Sequence, residues 1–168
     1  MQDPTDSLSY YNEEMERCAE EYASYILEII EDAKQYCKDP LVLIEQRLDF
    51  SRYVPDGFGT GDCLIIADKT LYIVDFKYGK GVEVDSEDNP QMMCYAVGAL
   101  ELFNSLYDIE NVCMVIYQPR IENISVSSMN VTELYNWAEN TLKPIAELAY
   151  EGKGEFKAGD HCQFCKIK

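Results

Sequence analysis

Histidine and basic residues are what this sequence has least of. Its 168 residues include one histidine, and 14 Lys plus Arg stand against 31 Asp plus Glu, for a formal net charge of −17. Phosphate contacts supply most of the non-specific affinity of a nucleic-acid binder, and they need Lys or Arg. A broad DNA-binding surface is therefore not expected, whereas a local basic patch, a metal-bridged phosphate or a basic protein partner stays open. No apolar run approaches the roughly 20 residues that span a bilayer. The start, Met1-Gln-Asp-Pro-Thr-Asp6, has neither the basic end nor the apolar core of a signal peptide. The expected compartment is the cytoplasm. The cysteine count is odd, and Cys18, Cys37, Cys63, Cys94 and Cys113 are scattered singly. In a reducing compartment such residues read as small buried hydrophobes, not as disulfides.

What is present argues for a folded globule: 47% hydrophobic residues, with 13 Tyr and 6 Phe. A chain of this length fits one domain and buries roughly 70% of its unfolded surface. The expected division is an N-terminal helix over 1–38, an α/β core over 41–150 and a cysteine-containing tail over 151–168. From about Ser7 to Tyr36, apolar residues recur every three or four positions between glutamates, which predicts a long amphipathic helix ended by Asp39-Pro40. Leu41 to Phe50 reads as a strand, and Val54 to Gly61 as a turn-rich connection. Gln91 to Phe103 is a helix preceded by a polar turn and cap at Asp85 to Pro90. Val112 to Tyr117 and Ile121 to Ser127 are strands around Gln118-Pro-Arg120. A last helix, capped by Thr132 or Asn130, runs from Val131 to about Glu151 and is kinked or divided by Pro144.

The unusual stretch lies between the first strand and the polar turn. Cys63 to Ala67 and Leu71 to Val74 are apolar runs flanking Asp68-Lys69, which reads as a β-hairpin. If Asp68 and Lys69 form the loop, Ala67 pairs with Thr70, and counting back sets Asp62 opposite Asp75. Directly opposite side chains lie roughly 4.5–5.5 Å apart at Cβ, where like charges repel. Alternation puts Lys77 on the same face. Apolar residues on both hairpin faces imply a sheet covered on both sides, hence a layered α/β domain. At a half-buried sheet end, two carboxylates call for a cation, and a divalent metal is the obvious one. Glu45 points either to that site or to solvent. Glu14, Glu20 and Glu21 read first as a solvated helix face and second as a source of one more metal ligand. Lys80, in the loop Tyr78-Gly-Lys-Gly81, is placed to contact a phosphate. Cys162-x-x-Cys165, with His161 beside it, supplies half of a zinc or iron–sulfur site.

Gly59-x-x-Asp62, Asp75-x-Lys77 and Gln91-x-x-x-Tyr95, in that order, resemble the motif series of RecB-like nucleases of the PD-(D/E)XK superfamily. The run from Phe58 to Leu102 looks closest to a phage and prophage family of that group, related to CRISPR-associated exonucleases that carry a terminal CxxC. The resemblance implies a restriction-endonuclease-like core with a central mixed sheet flanked by helices. It implies a Mg²⁺- or Mn²⁺-dependent deoxyribonuclease, an exonuclease of recombination or DNA processing, in the cytoplasm of a bacterial host. Asp62, Asp75 and the Phe76 carbonyl would hold the metal. Lys77 would orient or activate water and stabilise developing charge, and Gln91 and Tyr95 would position Lys77 or the scissile phosphate. His161, Cys162 and Cys165 would belong to a cluster or zinc site. Members of that group often carry a histidine in an early helix and a third C-terminal cysteine. This sequence has neither, as a shortened form of a longer chain would. The alternative expectation is a nuclease-fold binding or regulatory protein whose acidic surface engages a recombination protein or another basic partner.

Overall fold

Alternation and a tight Asp-Lys loop build the hairpin at the centre of the sheet. In the computed structural model, which describes residues 11–155, 157–159 and 162, β2 (Phe58–Ala67) and β3 (Thr70–Phe76) pair antiparallel from Ala67↔Thr70 to Cys63↔Val74. Asp68 takes φ 52° in the loop, a left-handed conformation that Asp tolerates because its short side chain bonds locally. β1 (Leu41–Asp49) adds to β2, and β4 (Asn111–Gln118) lies between β3 and β5 (Asn123–Asn130), giving the order β1-β2-β3-β4-β5. Only the β3–β4 pair is parallel. A parallel pair needs a crossover, and here it carries α2 (Pro90–Phe103).

The two hairpin faces go to different cores, as the alternation predicts. Leu64, Ile66, Leu71 and Ile73 pack with Met92, Ala96 and Leu100 of α2 and with Leu134 of α3 (Val131–Trp137). Cys63, Ile65, Val74 and Val115 pack instead against Ile26, Tyr22 and Tyr25 of α1 (Glu13–Ala33). The result is a mixed α/β fold with a five-stranded sheet flanked by helices, compatible with a restriction-endonuclease-like core. Among the described residues, no helix is long and apolar enough to cross a membrane.

Three boundaries differ from expectation. α1 starts after Asn12, whose side chain accepts from the Met15 N–H at 2.8 Å, and it ends at Ala33 rather than running to Asp39-Pro40. Its last turn closes by backbone bonds from residues 34–37, and Tyr36 then bonds the Tyr72 hydroxyl at 2.7 Å, drawing the chain to the sheet. Phe58 to Gly61 are strand, not loop, because β1 supplies partners from Asp49↔Phe58 to Gln46↔Gly61. The last helix, by contrast, is divided as its Pro144 leads one to expect: Ala138–Leu142 is a π-helical turn leading into α4 (Lys143–Tyr150). Pro144 has no N–H and its ring would clash with a carbonyl one turn earlier, and the wider turn absorbs both defects.

The crossover is fastened to the β4–β5 edge before α2 begins. Gln118, 2% exposed, accepts from the Val84 N–H at 2.8 Å and donates to the Val82 carbonyl at 3.0 Å. Asn123 donates to the Val84 carbonyl at 3.0 Å, and the Ser86 N–H donates to the Ser125 hydroxyl at 2.9 Å. These bonds satisfy a segment that has no ladder of its own and fix where α2 starts. Gln118→Met keeps the side-chain volume but orphans the Val84 N–H. It should cost about 1–3 kcal/mol in urea unfolding and speed amide exchange at Val84 and Ser86 while leaving β2 and β3 protected.

Candidate functional site

At the Asp75 end of the hairpin the regular alternation breaks in both β1 and β2. Leu43 and Leu48, an odd number of residues apart, face the same core. A Cβ on Gly61 would meet Leu64 and Leu48, so Gly61 and Leu64 share a face as well. The reset falls at Glu45, with φ 52°, and at Asp62 across from it, the one level between Leu41↔Ile66 and Asp49↔Phe58 that is not paired. The β2–β3 ladder also stops here. In its place the Asp62 carboxylate accepts from the Phe76 N–H at 2.7 Å. Asp62 and Asp75 are thus brought to the same level of adjacent strands, and Asp62 replaces a strand bond with a charge.

Asp75 is 5% exposed. Lys77 lies 2.8 Å from its Oδ2, yet the contact is not aligned as a hydrogen bond, and Oδ2 is a buried oxygen without a donor. That buried oxygen is met by the Lys77 charge without an aligned hydrogen-bond donor, which leaves part of its desolvation cost uncompensated. Lys77 also donates to Gln91 Oε1 at 3.0 Å. The other end of that amide donates to the Tyr95 hydroxyl at 3.1 Å and, at the long limit of 3.5 Å, to Asp75 Oδ1. Gln91 is delivered by the start of α2, where Asn89 caps by accepting from the N–H groups of Gln91 and Met92. Tyr95, one turn on, lies against Gly59: a Cβ there would come within 2.4 Å of the ring. That close approach is why a glycine stands at the head of β2.

Burial raises the Asp62 carboxyl above its ordinary value; the Phe76 N–H opposes the rise, the neighbouring Asp75 charge adds to it, Lys77 opposes it and Glu45 adds again. Tyr22 of α1 closes the other side. Its hydroxyl donates to the Val74 carbonyl at 3.3 Å, its ring lies 4.9 Å from Phe76, and burial first, with Asp62 and Asp75 contributing, pushes its phenol up. Sequence periodicity places Tyr22 only in the helix core; nothing local marks its nearness to the carboxylates.

The structure brings together Asp62, Asp75, Lys77, Gln91 and Tyr95, with Phe76 between. It does not bring Glu20 or Glu21, which are exposed on α1, Glu21 beside Arg17 at 3.7 Å. Glu14 is taken by cations: Lys80 at 2.9 Å and Arg120 at 3.0 Å, whose hydrogen bonds hold its carboxyl below the usual range. Glu20 and Glu21 thus keep the solvated helix face first expected of them, and Glu14 is engaged by Lys80 and Arg120. Glu45 is exposed and lies across from Asp62. Among the described residues, no three His, Cys, Asp or Glu side chains gather to hold a metal, so the donor set here is two carboxylates with backbone and solvent oxygens. Such a set suits a hard divalent cation. Cys162 is a half-buried free thiol; His161 and Cys165 lie outside the described residues. Arg120, which also donates to the Tyr78 carbonyl at 3.3 Å, carries no sequence signal beyond its place after a proline.

Because the Asp62 carboxyl sits above its unfolded value of 3.8, ionising it opposes folding at neutral pH, and this cost disappears once the pH falls below that unfolded value. Asp62→Asn, which can still accept from Phe76, should therefore raise the urea midpoint at neutral pH. The gain should shrink as the pH is lowered. An unchanged or lower midpoint at neutral pH would show that the Phe76 bond outweighs the repulsion.

Among solved structures, the chain is similar to one described as "Crystal structure of SSO0001", at 16% identity and a TM-score of 0.39, covering 83% of this chain and 62% of that one. The chain thus spans less than two thirds of that protein's length, and a likeness of this size supports no conclusion about either. A family model described as "Protein of unknown function (DUF2800)" matches residues 2–168. With a match over nearly the whole sequence, the chain belongs to the DUF2800 family.

Proposed function

We propose that this protein is a divalent-metal-dependent nuclease that hydrolyses DNA phosphodiester bonds, of the RecB-like PD-(D/E)XK kind. The observation that carries the reading is the buried Asp75, set beside Asp62 and ion-paired to Lys77 through an Oδ2 that has no aligned hydrogen-bond donor. Asp62, Asp75 and the Phe76 carbonyl are the groups that would hold Mg²⁺ or Mn²⁺. When bound, such a cation offsets the two carboxylate charges, lowers the pKa of water and offsets charge on a phosphoryl oxygen.

The residues of the chain account for the rest. Lys77 is held between Asp75 Oδ2 and Gln91 Oε1, so its ammonium is fixed in direction before substrate arrives. An ammonium has three donors and no acceptor; it can hold water or a phosphoryl oxygen by donation, and the donation strengthens as negative charge develops there. In the hydrolysis, a water oxygen bonds to phosphorus, the bond from phosphorus to the leaving sugar oxygen breaks, and one proton passes from the water side to the leaving oxygen. Gln91 shares Lys77 with Asp75, because its amide faces the ammonium with its oxygen and Asp75 and Tyr95 with its nitrogen. Tyr95, seated on Gly59, keeps that amide in place.

A second reading has one observation behind it. α1 turns Glu13, Glu16, Glu20, Glu28 and Glu31 to solvent on a chain of charge −17. That surface repels DNA and suits a basic protein partner.

The purified chain should cleave single- or double-stranded DNA with Mn²⁺, and Asp75→Ala or Lys77→Ala should lower the rate at least about a hundredfold. Calorimetric titration with Mn²⁺ should show binding that Asp75→Asn abolishes. Absence of cleavage by the native chain, or equal rates in the Asp75→Ala variant, would overturn the hydrolase and leave the binding-protein reading.

A further inference from the structure

Three residues past Lys77, the chain makes a second charge cluster that the hydrolytic residues do not use. Glu14 holds Lys80 through Oε1 at 2.9 Å and Arg120 through Oε2 at 3.0 Å. The two cations come from the ends of the parallel strands β3 and β4, the edge at which α/β sheets bind their ligands. Arg120 is the more firmly built. Its guanidinium lies 4.4 Å from the centre of the Tyr78 ring and donates to the Tyr78 carbonyl at 3.3 Å. Its Nε is buried with no acceptor, a charged donor left unpaired inside the protein. Lys80 is the adaptable member: it is exposed between Gly79 and Gly81, and nothing lies within 4 Å of where a Cβ on either glycine would sit. Glu14 reaches them from the first turns of α1, on the far side of the sequence from Arg120.

A planar carboxylate that offers one oxygen to each of two cations has the same donor demand as the two unesterified oxygens of a phosphodiester. We propose that Lys80 and Arg120 form a binding site for a backbone phosphate of a nucleic-acid strand next to the scissile position, and that Glu14 fills it in the free protein as an internal counter-anion. The inference rests on the nuclease reading for the identity of its ligand. It also resolves how a chain with so few cations can take a strand. Long-range attraction is absent, and a prepared pair is instead kept oriented and covered until a phosphate displaces Glu14. The exchange breaks two ion pairs and makes two, so α1 needs to yield only at its first turns.

The test uses a fluorescently labelled single-stranded oligonucleotide and the whole chain in EDTA, which removes any metal contribution, with affinity read by anisotropy. Glu14→Gln should tighten binding about five- to tenfold. Adding Arg120→Gln or Lys80→Gln to it should reverse the gain and flatten the dependence of log affinity on log salt by about 0.7 per cation lost. Unchanged or weaker binding by Glu14→Gln, with helix content intact by circular dichroism, overturns the proposal. Should that variant lose helix, Lys80→Gln alone decides: affinity equal to that of the parent overturns it. Displacement of the oligonucleotide from Glu14→Gln by inorganic phosphate at comparable concentration overturns the nucleic-acid assignment. Cleavage with Mn²⁺ is scored separately. A chain that cleaves DNA while Glu14→Gln binds as the parent does loses this site and keeps the hydrolase. A chain that never cleaves, yet binds as stated, keeps the site and loses the hydrolase.

Discussion

The carboxylate of Asp75 sits at the end of the middle strand of a five-stranded sheet, almost wholly removed from solvent. Desolvating such a charge costs several kcal/mol even after the protein relaxes around it, and the surrounding structure is arranged to limit that cost. Lys77 follows two residues later, just past the end of that strand, and Gln91 approaches from the start of α2. Neither gives Oδ2 an aligned donor. The remaining deficit, together with the Asp62 charge beside it, is what a hard cation would remove.

Holding Asp75 in that state depends on elements far from it in the chain. β1 and β2 both break alternation at Glu45 and Asp62, which ends the β2–β3 ladder and frees the Phe76 N–H for a side chain. The segment before α2 has few apolar anchors, and Gln118, Asn123 and Ser125 hold it through hydrogen bonds. Without that attachment, the position of Gln91 would be set only by the packing of α2. Gly98 lets α2 approach β1 closely: a Cβ there would lie 3.0 Å from the Leu48 Cβ.

Charge is distributed unevenly in a way that bears on any anionic ligand. α1 shows acids to solvent, yet at its start one of them turns inward to Lys80 and Arg120. The same helix places Tyr22 against Phe76 and the Val74 carbonyl. α1 is therefore both the cover of one sheet face and a wall beside the carboxylates.

The hairpin, its register and the assignment of its two faces were legible in the sequence, because side-chain alternation has a period of two and a one-residue slip would reverse every buried position. The proximity of Asp62, Asp75 and Lys77 followed from that register, and Gln91 with Tyr95 followed from helical spacing. The alternation break at Glu45 and Asp62 was not legible, since it depends on two strands yielding at the same level. Nor was the extension of β2 back to Phe58, which exists because β1 offers partners to a glycine-rich segment that looks like a loop in isolation. The link between Glu14 and Arg120 spans 106 positions and no local pattern encodes it. Sequence determined which residues of the paired hairpin share a face; only the tertiary structure decided where alternation resets and which charges from distant elements meet, because both depend on separation in space.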